Sequence, residues 1–164
     1  MTSIINSKVT ENKYGELYKV LIMNKQKIES ISITLKNVKT LFGLEKRYNN
    51  SYIKWTIDKN DISVIRLLEN MILDSFKFID NLGLKSSIIQ KKDYPTMIET
   101  KLNNSCSNDI IKHKKGEIIT FNELKSLYCN IDISLRHVNI QNRTGNKTIY
   151  YNLEIKEIAL LEDK

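Results

Sequence analysis

The feature that most constrains the fold is a change of hydrophobic period inside Ser51–Leu84. It opens with SYIKWTI, where Ile53, Trp55 and Ile57 alternate with Tyr52, Lys54 and Thr56. A period of two marks a half-buried strand, because successive side chains point to opposite faces of a sheet. In the residues that follow, Ile65, Leu68, Ile72, Phe76 and Ile79 recur at helical spacing and make one apolar stripe. Asp58, Asn60 or Asp61 can cap the start of this helix, and Gly83 is placed for a left-handed C-terminal cap.

The flanking sequence reads as β on both sides. Residues 1–15 are polar and predict a loose start. Leu17–Met23 and Ile28–Leu35 read as an antiparallel pair joined at Lys25-Gln26-Lys27. Phe42-Gly43-Leu44 anchors the next connection on the core, and TMIETKL (96–102) is a short strand. Residues 103–116 predict a flexible loop, Ile118–Phe121 is extended, and NELK makes one helical turn capped by Thr120 or Asn122. In CNIDISLRHVNI and IYYNLEIKEIALL the apolar phase slips by one residue midway, on either side of a hairpin turn at Gly145-Asn146. Paired strands that change phase imply bulges or sharp coiling, as in a small barrel. The fold expected is mainly β with one long helix (α+β): a five- to six-stranded barrel, the helix inserted after the third strand. All 164 residues form a single domain in this reading.

A hydrophobic content of 41% and charged content of 27% fit a soluble globular protein. No run approaches the roughly 18 apolar residues that a membrane-crossing helix needs. The N-terminus lacks the basic-then-apolar pattern of a secretory signal, and Cys106 and Cys129 are too few for a disulfide framework. An intracellular location, in cytoplasm or nucleus, is expected. The net charge of +7 favours a polyanionic partner. Richness in Ile, Asn and Lys with a single Pro also fits AT-rich coding DNA, which raises Lys without any ligand.

The catalytic inventory is thin. His113 and His137 are the only histidines, and there is no P-loop, Gly-rich dinucleotide turn or HExxH motif. A nuclease needs clustered carboxylates for its metal ions, and the acidic residues are scattered. No enzyme, cofactor or metal is expected.

The binding inventory is richer. With Ile53, Trp55 and Ile57 inward, Tyr52 and Lys54 face outward, just after Lys46, Arg47 and Tyr48. Cations beside aromatic rings on an open sheet suit single strands, since lysines hold phosphates and rings stack on bases. Tyr52 packed under the connecting loop, with the lysines merely solvated, is the competing reading. Trp55 shares its phase with two isoleucines, which favours the core over a stacking platform without deciding between them. A second group is Lys91, Lys92 and Tyr94; a third is Arg136, His137, Arg143 and Lys147 around the terminal hairpin. Lys112, Lys114 and Lys115 offer a flexible arm.

The order of these features, with FGL at Phe42-Gly43-Leu44, the strand and its Ile/Leu-rich helix, YPTMIETKL and a two-stranded finish, resembles the single-stranded DNA-binding proteins of large nucleocytoplasmic DNA viruses. The resemblance spans roughly Leu17–Leu160. It implies an oligonucleotide/oligosaccharide-binding (OB) barrel that coats single-stranded DNA, or RNA, with little sequence preference during viral replication, recombination or repair. Replication proteins would be its partners, and exposed barrel edges leave room for a homo-oligomer. In such barrels the ligand crosses strands two and three, here Ser30–Leu35 and Ser51–Ile57 with the loop of Lys46, Arg47 and Tyr48. A small β-barrel docking on another protein, in viral transcription or host interference, is the alternative.

Overall fold

Alternating apolar residues dictate strands along most of this chain. The structure, a computed structural model, describes residues 2–102, 110–112, 120–143 and 145–161. The first strands are β1 (Thr2–Asn12), β2 (Gly15–Asn24), β3 (Lys27–Glu29), β4 (Ile31–Val38), β5 (Leu44–Arg47) and β6 (Asn50–Thr56). Helix α1 (Lys59–Ser75) follows, then β7 (Leu82–Leu84), β8 (Ile88–Ile89), β9 (Met97–Leu102) and β10 (Ile111–Lys112). A one-turn 3₁₀ helix (Phe121–Leu124) precedes β11 (Cys129–Leu135), β12 (His137–Arg143), β13 (Asn146–Tyr151) and β14 (Leu153–Leu160).

Among the described residues the protein is therefore mainly β with one α-helix, in two sheets. The first has six strands in the order β1-β2-β12-β13-β7, with β3 on β2; the second has eight, in the order β4-β11-β14-β9-β6-β5, with β8 and β10 alongside. Among the described strands neither sheet closes on itself, so the single five- to six-stranded barrel expected from the phase slips gives way to two open sheets. The chain divides into two compact units, each built from three segments. Unit 1 holds residues 1–31, 62–86 and 135–152, and unit 2 holds residues 32–61, 87–134 and 153–164.

In unit 1 the helix covers its sheet through the expected stripe. Ile65, Leu68, Ile72 and Phe76 are buried, and the Phe76 ring meets Tyr18 edge-on with centroids 4.8 Å apart. Glu69, also buried, accepts a 2.6 Å hydrogen bond from the Tyr151 hydroxyl, which meets the need of a buried carboxylate for a partner. The helix start is capped reciprocally: Asp61 N–H donates to Asp58 Oδ1 (2.8 Å), and Asp58 N–H to Asp61 Oδ2 (3.2 Å). Burial raises the Asp61 carboxyl above its ordinary range.

The helix ends at Ser75, earlier than its stripe suggests. Ser75 Oγ donates to the Ile72 carbonyl (2.7 Å), and the Asn6 amide donates to the Ser75 carbonyl (2.9 Å), satisfying carbonyls that a helix end leaves open. Gly83 is no cap; it lies within β7, and Asn81 (φ 56°) takes the left-handed position.

Two further expectations are corrected. The polar start is an 11-residue edge strand, because Ile4 is buried and the remaining side chains need only line an edge. The Ile28–Leu35 strand splits at Ser30. β3 completes a hairpin with β2 through Lys25 and Gln26 (φ 48° and 71°), whereas β4 carries buried Ile31 and Leu35 into the second sheet beside β11.

The phase slips have two causes. The chain leaves β11 and enters β12, in the other sheet, across the single residue Arg136. Between β11 and β14 the register shifts by one, with Asp132 opposite Glu157 and Ile133 opposite Ile155, so that Lys156 is a bulge and both Ile155 and Ile158 stay buried. The hairpin at Gly145 (φ 83°) joins β12 to β13 as expected.

Candidate nucleic-acid interface

The β5–β6 hairpin sits at one edge of the second sheet and is held in unit 2 by its inner face. Trp55 is fully buried and donates its Nε1–H to Thr100 Oγ1 at 2.9 Å, and that hydroxyl donates to the Ile53 carbonyl at 2.8 Å. A ring this enclosed is core and not a stacking platform. With Ile53, Trp55 and Ile98 inward, the alternation sends Tyr52, Lys54, Glu99 and Lys101 to the other face.

That outer face gathers the first candidate group. Tyr52 lies opposite Glu45 on one side and Lys101 on the other, and Lys54 lies opposite Glu99. The Arg47 guanidinium stands 4.1 Å from the Tyr52 ring centroid, a cation–π arrangement, and also pairs with Glu99. Lys54 reaches both oxygens of Glu45, at 3.3 and 3.4 Å, and its side chain is only 16% exposed. The two cations differ in consequence. Arg47 is half-exposed, and an exposed ion pair contributes at most about 1 kcal/mol, so a phosphate can displace Glu99. Lys54 is more deeply committed to Glu45.

Lys46 is exposed, and Tyr48 is wholly exposed at the hairpin tip with φ 55°. A left-handed backbone costs a residue with a Cβ about 1–2 kcal/mol, and a ring in open water returns no packing energy. Nothing in the packing asks for tyrosine there.

Lys91, Lys92 and Tyr94 are exposed in the β8–β9 connection, also in unit 2. Tyr94 meets the ring of Phe42 edge-on, 5.5 Å between centroids and 63° between planes. The third group belongs to unit 1. Arg136 and His137 are exposed at the start of β12, and Lys147 lines a cleft of about 200 Å³ with Glu11, Lys13 and Glu16. Arg143 ends β12, and its side chain lies outside the described set. Lys112 contributes its backbone to β10, and His113, Lys114 and Lys115 lie outside the described residues. The first two groups thus share a unit and the third does not.

The sequence reading missed Lys39, Phe42, Lys125 and Tyr128. It placed Phe42 in the core, but Gly43 (φ 69°) turns the chain so that the ring stays 41% exposed. Lys39 Nζ lies 5.1 Å from the ring centroid of Tyr128, which is also half-exposed. Only a glycine flanked by an aromatic hinted at this turn. Among the described residues no three His, Cys, Asp or Glu side chains converge as a metal site. Comparison with known proteins finds no family model and no curated sequence that the chain matches.

Proposed function

We propose that the protein is a non-enzymatic binder of single-stranded nucleic acid, coating exposed DNA or RNA strands during viral replication, recombination or repair. One observation carries the reading: Tyr48, strained and fully open to solvent, beside Arg47 stacked on Tyr52. A two-residue hairpin turn calls for the left-handed backbone, as at Lys25 and Gln26, but it does not call for a fully exposed aromatic ring. Rings and cations at this spacing suit bases and phosphates, and the charge of +7 attracts the polymer over longer range. An OB-type arrangement, as the family resemblance implies, would carry its ligand across such a sheet face and the loops beside it.

The test is a titration of oligo(dT), oligo(rU) and duplex at two salt concentrations. Single strands should bind tightest, with affinity falling as salt rises because bound cations release counterions. Tyr48→Gly should weaken binding by about 1–3 kcal/mol, the scale of one stacked base. Equal affinity for duplex, or an unaffected Tyr48→Gly, sinks the proposal. A protein-docking module is the second reading, favoured by Val64 and Leu67, exposed at i, i+3 on α1. Loss of a partner protein on Leu67→Lys, with nucleic-acid binding absent, would establish it instead.

A further inference from the structure

β5 is the terminal strand of its sheet, and Tyr48 stands at one end of it. At the other end, two residues before β5 begins, is Phe42. We propose that Phe42 and Tyr94, with Tyr128, Lys39 and Lys125, form a second single-strand contact, so that one strand runs along the β5 edge between two aromatic stations. This inference rests on the hairpin reading above and extends its footprint.

The turn that carries Phe42 is built rather than loose. Thr40 is fully buried; its Oγ1 accepts the Gly43 N–H at 3.0 Å, its carbonyl accepts the Ser126 N–H at 2.7 Å, and it bridges to Lys125. Buried Thr40 thus closes its own turn through its hydroxyl and holds segments 39–43 and 125–128 side by side through its backbone. The first presents Lys39 and Phe42, and the second presents Lys125 and Tyr128. Phe42 then reaches Tyr94 on the β8–β9 connection.

Rings brought together only to stabilise a turn would do so best if buried. Here Phe42, Tyr94 and Tyr128 stay 41%, 51% and 50% exposed, so each keeps an open face. Residues 39–43, 91–95 and 125–128 carry four lysines against one carboxylate, Asp93. Glu123, the nearest acid in sequence to Lys125, is committed to Thr120, accepting its hydroxyl at 3.0 Å. The ligand class that fits open rings among ammonium groups that outnumber the carboxylates of these segments is a base with its flanking phosphates. Four residues of β5 span about 13 Å, at roughly 3.3 Å per residue, which is too far for one nucleotide to occupy both stations.

Length dependence therefore separates the stations. Anisotropy titrations at fixed low salt would use oligo(dT) of about 4 to about 12 nucleotides, within the roughly 4–16 that an OB-type site spans. The variants are Tyr48→Gly, the double variant Phe42→Ala/Tyr94→Ala, and Lys125→Glu, which leaves the rings intact should the double variant unfold. Tyr48→Gly should weaken binding at every length. The other two should match the unaltered protein on the shortest oligomer and lose about 10-fold or more on the longest. If both match it at every length while Tyr48→Gly does not, the second station falls and the hairpin reading stands. If the unaltered protein binds no oligomer, both fall.

Discussion

Each unit sets a lysine or arginine against a tyrosine and a glutamate, with opposite results. In unit 1, Tyr18 is 6% exposed and donates its hydroxyl to Glu16 at 2.6 Å. Lys8 beside that ring is held by two carboxylates, Glu11 at 3.2 Å and Glu16 at 3.5 Å. Each member of the trio is thus paired within unit 1, with Lys8 and Glu11 at the surface. In unit 2, Arg47 stacks on Tyr52 and has one carboxylate partner, and the neighbouring Tyr48 has no packing at all. Unit 1 has the larger excess of positive charge, eleven Lys and Arg against six Asp and Glu, compared with fifteen against thirteen in unit 2. Net charge therefore does not single out the surface proposed for binding. What differs is local: Lys8 meets two acids beside a buried ring, whereas Arg47 meets Glu99 beside a half-buried ring and an open one.

The contrast can be broken at its strongest point first. Unit 2 can present open rings only because its inner face is rigid, and Trp55 is the largest side chain there. Trp55→Ala should cost about 3–5 kcal/mol in urea denaturation. A loss under about 1 kcal/mol, below the range for substitutions at packed sites, would mean that the face is not held as described.

Unit 1 has its own rigid point at Gly15, where a Cβ would lie 2.6 Å from the Ile140 carbonyl oxygen on β12. That oxygen is backbone and cannot step aside cheaply. Gly15→Ala should cost about 1–3 kcal/mol and leave nucleic-acid affinity alone. A parallel loss of affinity would move the binding surface toward unit 1. Tyr48→Gly should do the reverse, leaving stability unchanged or raising it by up to about 1 kcal/mol by relieving the left-handed strain, while weakening binding.

The smallest effect concerns pH. The Tyr18 hydroxyl, and then Lys8 and Lys147, hold the Glu16 carboxyl below its ordinary value of 4.5. A lowered folded-state pKa stabilises above the unfolded value and is lost as pH falls through the folded one. The stability difference between the unaltered protein and Glu16→Gln should thus be full near neutrality and shrink below about pH 4.5. A difference that grows on acidification would contradict the brace.

Periodicity made the helix stripe, the inward phase of Trp55 and the terminal hairpin legible, because each is a local pattern that burial enforces. Sheet membership was not legible. Nothing between Glu29 and Ile31 says that the chain changes sheets, and the slip at Arg136 reads equally as a bulge or a crossing. β1 was hidden because an edge strand with one buried isoleucine looks like a polar loop. In the site, alternation separated Tyr52 and Lys54 from the core, but the partners of the cations, Glu45 and Glu99, depend on cross-strand register. Phe42 was misassigned because an apolar residue beside glycine reads as an anchor until the turn's φ is known.

Cys129 illustrates what complete burial does to chemistry. Its thiol is fully enclosed, and desolvation pushes its pKa to about 12. The thiolate is the reacting form, and near pH 7 it would be about one part in 10⁵ at that pKa. Any alkylation of Cys129 must therefore wait for unit 2 to open. In a Cys106→Ser background, which removes the cysteine outside the described residues, the labelling rate becomes a stopwatch for that opening. A single strand bound to unit 2, as proposed, would slow the stopwatch, with no dye placed on the proposed surface.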